Sequence, residues 1–174
     1  MTLGILGLAL AGCGRAAPTP RGPSLAAPPV SVAVGGEKEL AALLERQRGK
    51  VVLVDFWATW CEPCVKLFPH SVELQTRLGD RGLQVISVSL NEPEEEVTVL
   101  AFLWRMHAAF PNLISRYGTG TRSVEAFEIK GGVPCLKLYD REGRLRKTFG
   151  ADGPPLPEKI VRAVEELLGA VGPP

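Results

Sequence analysis

Apolar positions recur along this chain in two ways, at helical spacing and in short unbroken runs, and the two alternate. Residues 37–48 (EKELAALLERQR) put Leu40, Leu43 and Leu44 on one helical stripe with Gly49 as a stop, which predicts a helix. Val51-Val52-Leu53-Val54-Asp55-Phe56 is a β-branched apolar run of the kind found in strands buried on both faces. Val85-Ile86-Ser87-Val88-Ser89 is a second such run. Between them, residues 63–78 carry Val65, Phe68 and Val72 at helical spacing, and Pro69 inside that stretch predicts a kink. This reads as a β-α-β unit. Residues 94–109 predict a further helix whose apolar stripe is Val97, Leu100, Ala101, Trp104 and Ala108, closed by Phe110-Pro111. Cys135 to Tyr139 and Leu145 to Phe149 flank the turn signal Asp140-Arg141-Glu142-Gly143, an antiparallel hairpin. Residues 157–168, with Ile160, Val161, Val164, Leu167 and Leu168 on one side, predict an amphipathic C-terminal helix. The sum is an α/β domain with a mixed central sheet flanked by helices.

The first 36 residues follow neither pattern. Leu3 to Ala11 is an uncharged apolar run, long enough for the core of a signal peptide and too short to span a membrane. Residues 14–36 hold five Pro, five Ala and four Gly in 23 positions and show no sustained periodicity, the composition of an extended tether. Three segments are therefore expected: a leader at 1–12, a linker at 13–36 beginning with Cys13, and a folded domain at 37–174. Length and charge agree with one modest domain: 174 residues, 45% hydrophobic and 22% charged, with a formal net charge of +1. That balance offers no basic field for nucleic acid.

The chain has four cysteines, Cys13, Cys61, Cys64 and Cys135, and they carry its most specific chemistry. They are too few for a disulfide scaffold, and two are only three residues apart. In Trp60-Cys61-Glu62-Pro63-Cys64 the pair stands where a strand hands over to a helix. There the free N–H groups and the positive end of the helix dipole favour a thiolate at Cys61, while Cys64, one turn further on, can resolve a mixed disulfide. A buried carboxylate at Asp55 should have its pKa raised towards neutrality, where it could take the proton of Cys64.

The stretch Val51 to Pro69 (VVLVDFWATWCEPCVKLFP) resembles the thioredoxin superfamily, and WATWCEPC is most similar to its membrane-tethered TlpA/ResA-like branch. The resemblance covers roughly residues 37–168 and implies a thioredoxin fold carrying a helix-strand insertion before the final hairpin. It implies that Gly131-Gly132-Val133-Pro134 is a substrate-binding loop with Pro134 cis, that Trp60 and Val133 help dock substrate, and that Glu62 and Pro63 tune the pair. It also implies a proton acceptor at Asp55. Ser87 occupies the place of that acceptor's usual lysine partner, and Glu92 or Glu94 could supply a carboxylate from the insertion. Leu10-Ala11-Gly12-Cys13 is similar to a lipoprotein cleavage box, which implies a lipid on Cys13 and a location outside the cytoplasm.

The activity so implied is an extracytoplasmic, membrane-tethered protein thiol-disulfide oxidoreductase. It would act as a reductant of protein disulfides, for example in cytochrome c maturation. A membrane donor of the DsbD/CcdA type would supply electrons, and no cofactor beyond the Cys61-Cys64 pair is expected. Alternatives are a disulfide oxidase or isomerase, or a soft-metal module in which Cys61, Cys64 and Cys135 hold a cation. His70 and His107, the only histidines, are read as packing or surface residues.

Overall fold

The computed structural model describes residue 1 and residues 29–169. Cys13, the leader and the stretch up to residue 28 lie outside the described residues. In chain order the elements are β1 (Ala33–Gly35), α1 (Glu37–Arg46), β2 (Val51–Trp57), α2 (Glu62–Leu78), β3 (Leu83–Ser89), α3 (Glu96–Arg105), β4 (Asn112–Ser115), α4 (Thr121–Ala126), β5 (Cys135–Tyr139), β6 (Leu145–Phe149) and α5 (Pro157–Gly169). The strands form one sheet in the order β1-β4-β3-β2-β5-β6. The first four are mutually parallel, and β5 and β6 run antiparallel to their neighbours.

Alternation along β2 assigns the two faces. Leu53 and Trp57 point into a core built with α2, α3 and α5, through Leu67, Phe68, Phe102, Leu103, Ile160 and Val164. Val52, Val54 and Phe56 point the other way, against Leu40 of α1 and Phe127 just after α4. All seven residues of β2 are buried, as its unbroken apolar run predicts. The expected β-α-β unit is β2-α2-β3, and α2 continues through the exposed Pro69. The hairpin falls where its turn signal places it: Asp140 Oδ1 accepts from the backbone N–H groups of Glu142 and Arg144, and Oδ2 from the guanidinium groups of Arg144 and Arg146. Burial pushes the Asp140 carboxyl up, but these donors outweigh it and hold the pKa down at about 2.

Three differences from the sequence reading have physical causes. The chain joins the fold before residue 37: Val30 and Val32 pack against the core, and β1 pairs in register with β4, Ala33 to Leu113 and Gly35 to Ser115. A three-residue strand is too short to carry a periodic signal, and its partner lies far along the chain. For the same reason β4 and the six-residue α4 escape detection. Together α3 and β4 make the helix-strand insertion, which adds β4 between β1 and β3.

The third difference concerns α3. Its buried face is Val99, Phe102 and Leu103, whereas Val97 and Trp104, expected inside, are 81% and 57% exposed. The two stripes stand two residues apart, about 200° around the helix, and both are apolar, so periodicity alone does not choose between them. Aromatic packing chooses. Phe102 meets Trp57 at 4.6 Å and Phe68 at 5.2 Å between ring centroids, and Trp57 meets Phe68 at 4.7 Å.

A candidate thiol-disulfide site

β2 delivers the chain to the site. Trp57, its last residue, is locked below by the aromatic cluster and pairs with Ser89 of β3. Beyond it Ala58–Trp60 turn, with the Cys61 N–H donating to the Ala58 carbonyl at 3.2 Å, and Cys61 becomes the N-cap of α2. Pro63 in the first turn suits a helix start, because its missing N–H belongs to those left free there. Cys61 and Cys64 form a disulfide with their Cα atoms 5.2 Å apart. The Cys64 N–H donates to Cys61 Sγ at 3.3 Å, the helix-terminus donor that would meet a thiolate at the same atom. Cys64, at 2% exposure, is the more covered of the two, Cys61 having 6%. Glu62 is exposed and pairs with Lys66 at 2.7 Å, and that lysine holds its carboxyl below the usual range. The negative charge beside the thiols is thus shared with a cation.

Around the pair, Trp60 is 54% exposed. The Val133–Pro134 peptide is cis. Pro134 lines a shallow groove of about 260 Å³ together with Pro63, Lys66, Leu67 and His70 of α2 and three prolines that precede or begin α5. The groove is apolar and open along the flank of the disulfide-bearing helix. Gly150 lets the end of β6 lie close against the Pro134 backbone: its φ is +100°, and a β-carbon there would collide with the Pro134 carbonyl oxygen. Val133 packs between the two cores.

Asp55 lies on the same face of β2 as Trp57 and is 2% exposed. Desolvation pushes its pKa up to about 7, and the one opposing contact is the Ser71 hydroxyl, which donates to Oδ2 at 2.6 Å. Ser87, opposite Asp55 in the β2–β3 register, turns instead to Asn112 Oδ1 at 2.7 Å. Ser71 was not among the sequence candidates, although it stands seven residues after Cys64 as a polar residue on an apolar helix stripe. Asn91 was missed as well. It is fully buried, just past β3, and its side chain grips the turn before Cys61: Oδ1 accepts from the Thr59 N–H at 2.9 Å, and Nδ2 donates to Thr59 Oγ1 at 2.7 Å.

The structure separates some residues that the sequence grouped. Cys135 pairs with Phe56 on the opposite face of the sheet from Cys61 and Cys64, fully buried, and desolvation pushes its thiol up to about 11. A three-thiol cation site is thereby corrected, since the sheet stands between the third sulfur and the pair. Among the described residues no group of three or more His, Cys, Asp or Glu is placed to hold a metal ion. Glu92 accepts from the Thr119 N–H at 2.9 Å, Glu94 is exposed, and His107 is exposed at positive φ beyond α3. His70 is partly exposed, 3.9 Å from Glu73, on the edge of the groove.

Known proteins resemble this chain in sequence and in fold. A family model described as Redoxin matches residues 23–164. The thiol-disulfide oxidoreductase ResA of Halalkalibacterium halodurans is 30% identical over 125 residues, which are 72% of this chain and 66% of the relative, a little under two thirds of its length. Among solved structures, a thiol:disulfide interchange protein assigned as DsbE, from Chlorobium tepidum, superposes with a TM-score of 0.59 at 28% identity, covering 72% of this chain and 85% of that one. The exposed lipoprotein thioredoxin Etrx1 of Streptococcus pneumoniae does so with a TM-score of 0.56 at 25% identity, covering 71% and 90%. A mixed sheet with the helix-strand insertion, a disulfide at the head of α2 and these matches together place the chain in the redoxin family, as a ResA-like member of the thioredoxin superfamily.

Proposed function

We propose that this protein is a thiol-disulfide oxidoreductase that reduces protein disulfides outside the cytoplasm, working from a membrane tether. The observation that carries the reading is the Cys61–Cys64 disulfide at the N-terminus of α2, flanked by the groove that Pro134 lines. In the reduced enzyme the Cys61 thiolate attacks one sulfur of a substrate disulfide, forming a mixed disulfide and releasing the other substrate sulfur as a thiolate. Cys64 then gives up its proton and attacks Cys61 Sγ. That step forms the Cys61–Cys64 bond, breaks the mixed disulfide and leaves the substrate reduced by two electrons. Asp55, with its pKa near neutrality, is the acceptor for the Cys64 proton. Trp60, Val133 and Pro134 hold the substrate backbone, and Glu62 and Pro63 set the poise of the pair. Electrons return from a membrane donor of the DsbD/CcdA type, and apocytochrome c is a substrate of the right kind. Replacing Cys61 with Ser should abolish reduction of a model disulfide protein such as insulin, whereas Cys64→Ser should accumulate mixed disulfides; undiminished turnover in either variant contradicts the roles.

The tether reading rests on Leu10-Ala11-Gly12-Cys13 followed by the proline-rich stretch. Among the described residues no helix is long and apolar enough to cross a membrane. In this reading a lipid on Cys13 supplies the attachment. Mass spectrometry of the mature protein from a bacterial host should find an N-terminus at Cys13 carrying acyl chains. A chain that begins at Met1 with a free Cys13 thiol overturns this part.

A further inference from the structure

Between β2 and α2 the chain must turn through Ala58–Trp60, and the backbone alone gives this turn little support. Apart from the pairing of β2, backbone bonds hold it at two points: the Leu90 N–H donates to the Trp57 carbonyl at 2.8 Å, and the Cys61 N–H to Ala58 at 3.2 Å. The Thr59 N–H and hydroxyl lie between these points, and both go to a single side chain 32 residues away. That side chain, Asn91, is fully buried and uses every polar group it has. Oδ1 accepts from the Thr59 N–H at 2.9 Å and from Ser89 Oγ at 2.8 Å; Nδ2 donates to Thr59 Oγ1 at 2.7 Å and to Glu95 Oε2 at 3.1 Å. Glu95 is anchored in turn by the Glu92 N–H at 3.0 Å. A buried amide with four hydrogen bonds is rigid and costly to disturb.

We propose that Asn91 is a positioning residue for the redox pair: it extends the β2–β3 pairing past the strand ends and fixes the turn from which Cys61 enters the N-cap of α2. This inference rests on the exchange activity proposed above. Its chemical consequence lies at Cys61 Sγ, which keeps the Cys64 N–H as a donor only while the turn holds it there. With Asn91 removed the turn relaxes, Sγ drifts from the helix terminus, and the thiolate loses part of its stabilisation. Glu95 and Asn91 also tie the start of the insertion to this turn, so the added helix and strand support the site from which the chemistry proceeds.

The test is the pH dependence of Cys61 alkylation by iodoacetamide in the reduced full-length protein. For Asn91→Ala the midpoint should rise by about half a unit and the rate near neutrality should fall about threefold, with the alkaline plateau unchanged. Thr59→Val, which removes only the hydroxyl, should show a smaller shift in the same direction, and Thr59→Ser should restore the wild-type profile. Should Asn91→Ala fail to fold, the two Thr59 variants decide the matter. Profiles that superimpose on the wild type, even with a lowered melting temperature, overturn the proposal and leave Asn91 a purely structural residue. Alkylation reads Cys61 without any disulfide substrate, so a wild-type protein inactive in turnover would overturn the exchange reading and leave this test standing.

Discussion

At the scale of single residues, the site places one ionisable group where water cannot reach it. Asp55 is buried, and among the described residues no cation lies against it and only the Ser71 hydroxyl favours its charged form. Its folded pKa of about 7 lies above the ordinary value of 3.8, so the folded state binds the extra proton between those limits. The group's contribution to stability is therefore fully present below about pH 4, falls as the pH rises towards 7, and is lost above that. Compared with an Asp55→Asn variant, the wild type should lose up to about 4 kcal/mol of unfolding free energy across that window. Urea unfolding of the disulfide-intact proteins at a series of pH values measures the difference, and parallel curves contradict it. Much of this was legible in the sequence, because a carboxylate inside an apolar strand announces its own burial, just as two cysteines one helical turn apart announce their chemistry. The partners were not legible. Ser71 and Asn91 act on Asp55 and Thr59 across the sheet and its helices, and such pairings exist only once the elements are stacked.

At the scale of elements, α3 shows how periodicity can identify a helix and still mistake its orientation. Both of its stripes are apolar, and the one holding Phe102 turns inward because the ring fits between Trp57 and Phe68. Phe102→Ala should cost about 3–4 kcal/mol of stability by emptying that space, whereas Trp104→Ala, on the open side, should change it by less than about 0.5 kcal/mol. Chemical denaturation of the two variants compares them, and equal losses would contradict the assigned orientation. The long elements α1, α2, α5, β2 and the β5–β6 hairpin were legible because each carries several turns or alternations of signal. β1, β4 and α4 were not, since three to six residues hold at most two periods of any pattern and tertiary pairing alone stabilises them.

For the whole molecule, the order of strands concentrates the chemistry at one end of the sheet. The parallel strands β2 and β3 both end at the α2 N-terminus, so the Cys61–Cys64 bond, the Thr59 turn and Asn91 share one rim, with the Pro134 loop closing its flank. The third thiol, Cys135, is held behind the sheet with a raised pKa, which leaves the pair as the redox centre of the domain. We propose that this centre works as a reductant of protein disulfides. Glu62 next to Cys61 works against the thiolate, even shared with Lys66, and so disfavours a strongly oxidising disulfide. The two-electron reduction potential, from equilibration of the full-length protein with glutathione and thiol trapping, decides the direction. A value below about −200 mV, in the range of reducing thioredoxin-like proteins, is predicted, and a value near about −120 mV, that of a strong oxidant, would mark the pair as an oxidase centre instead.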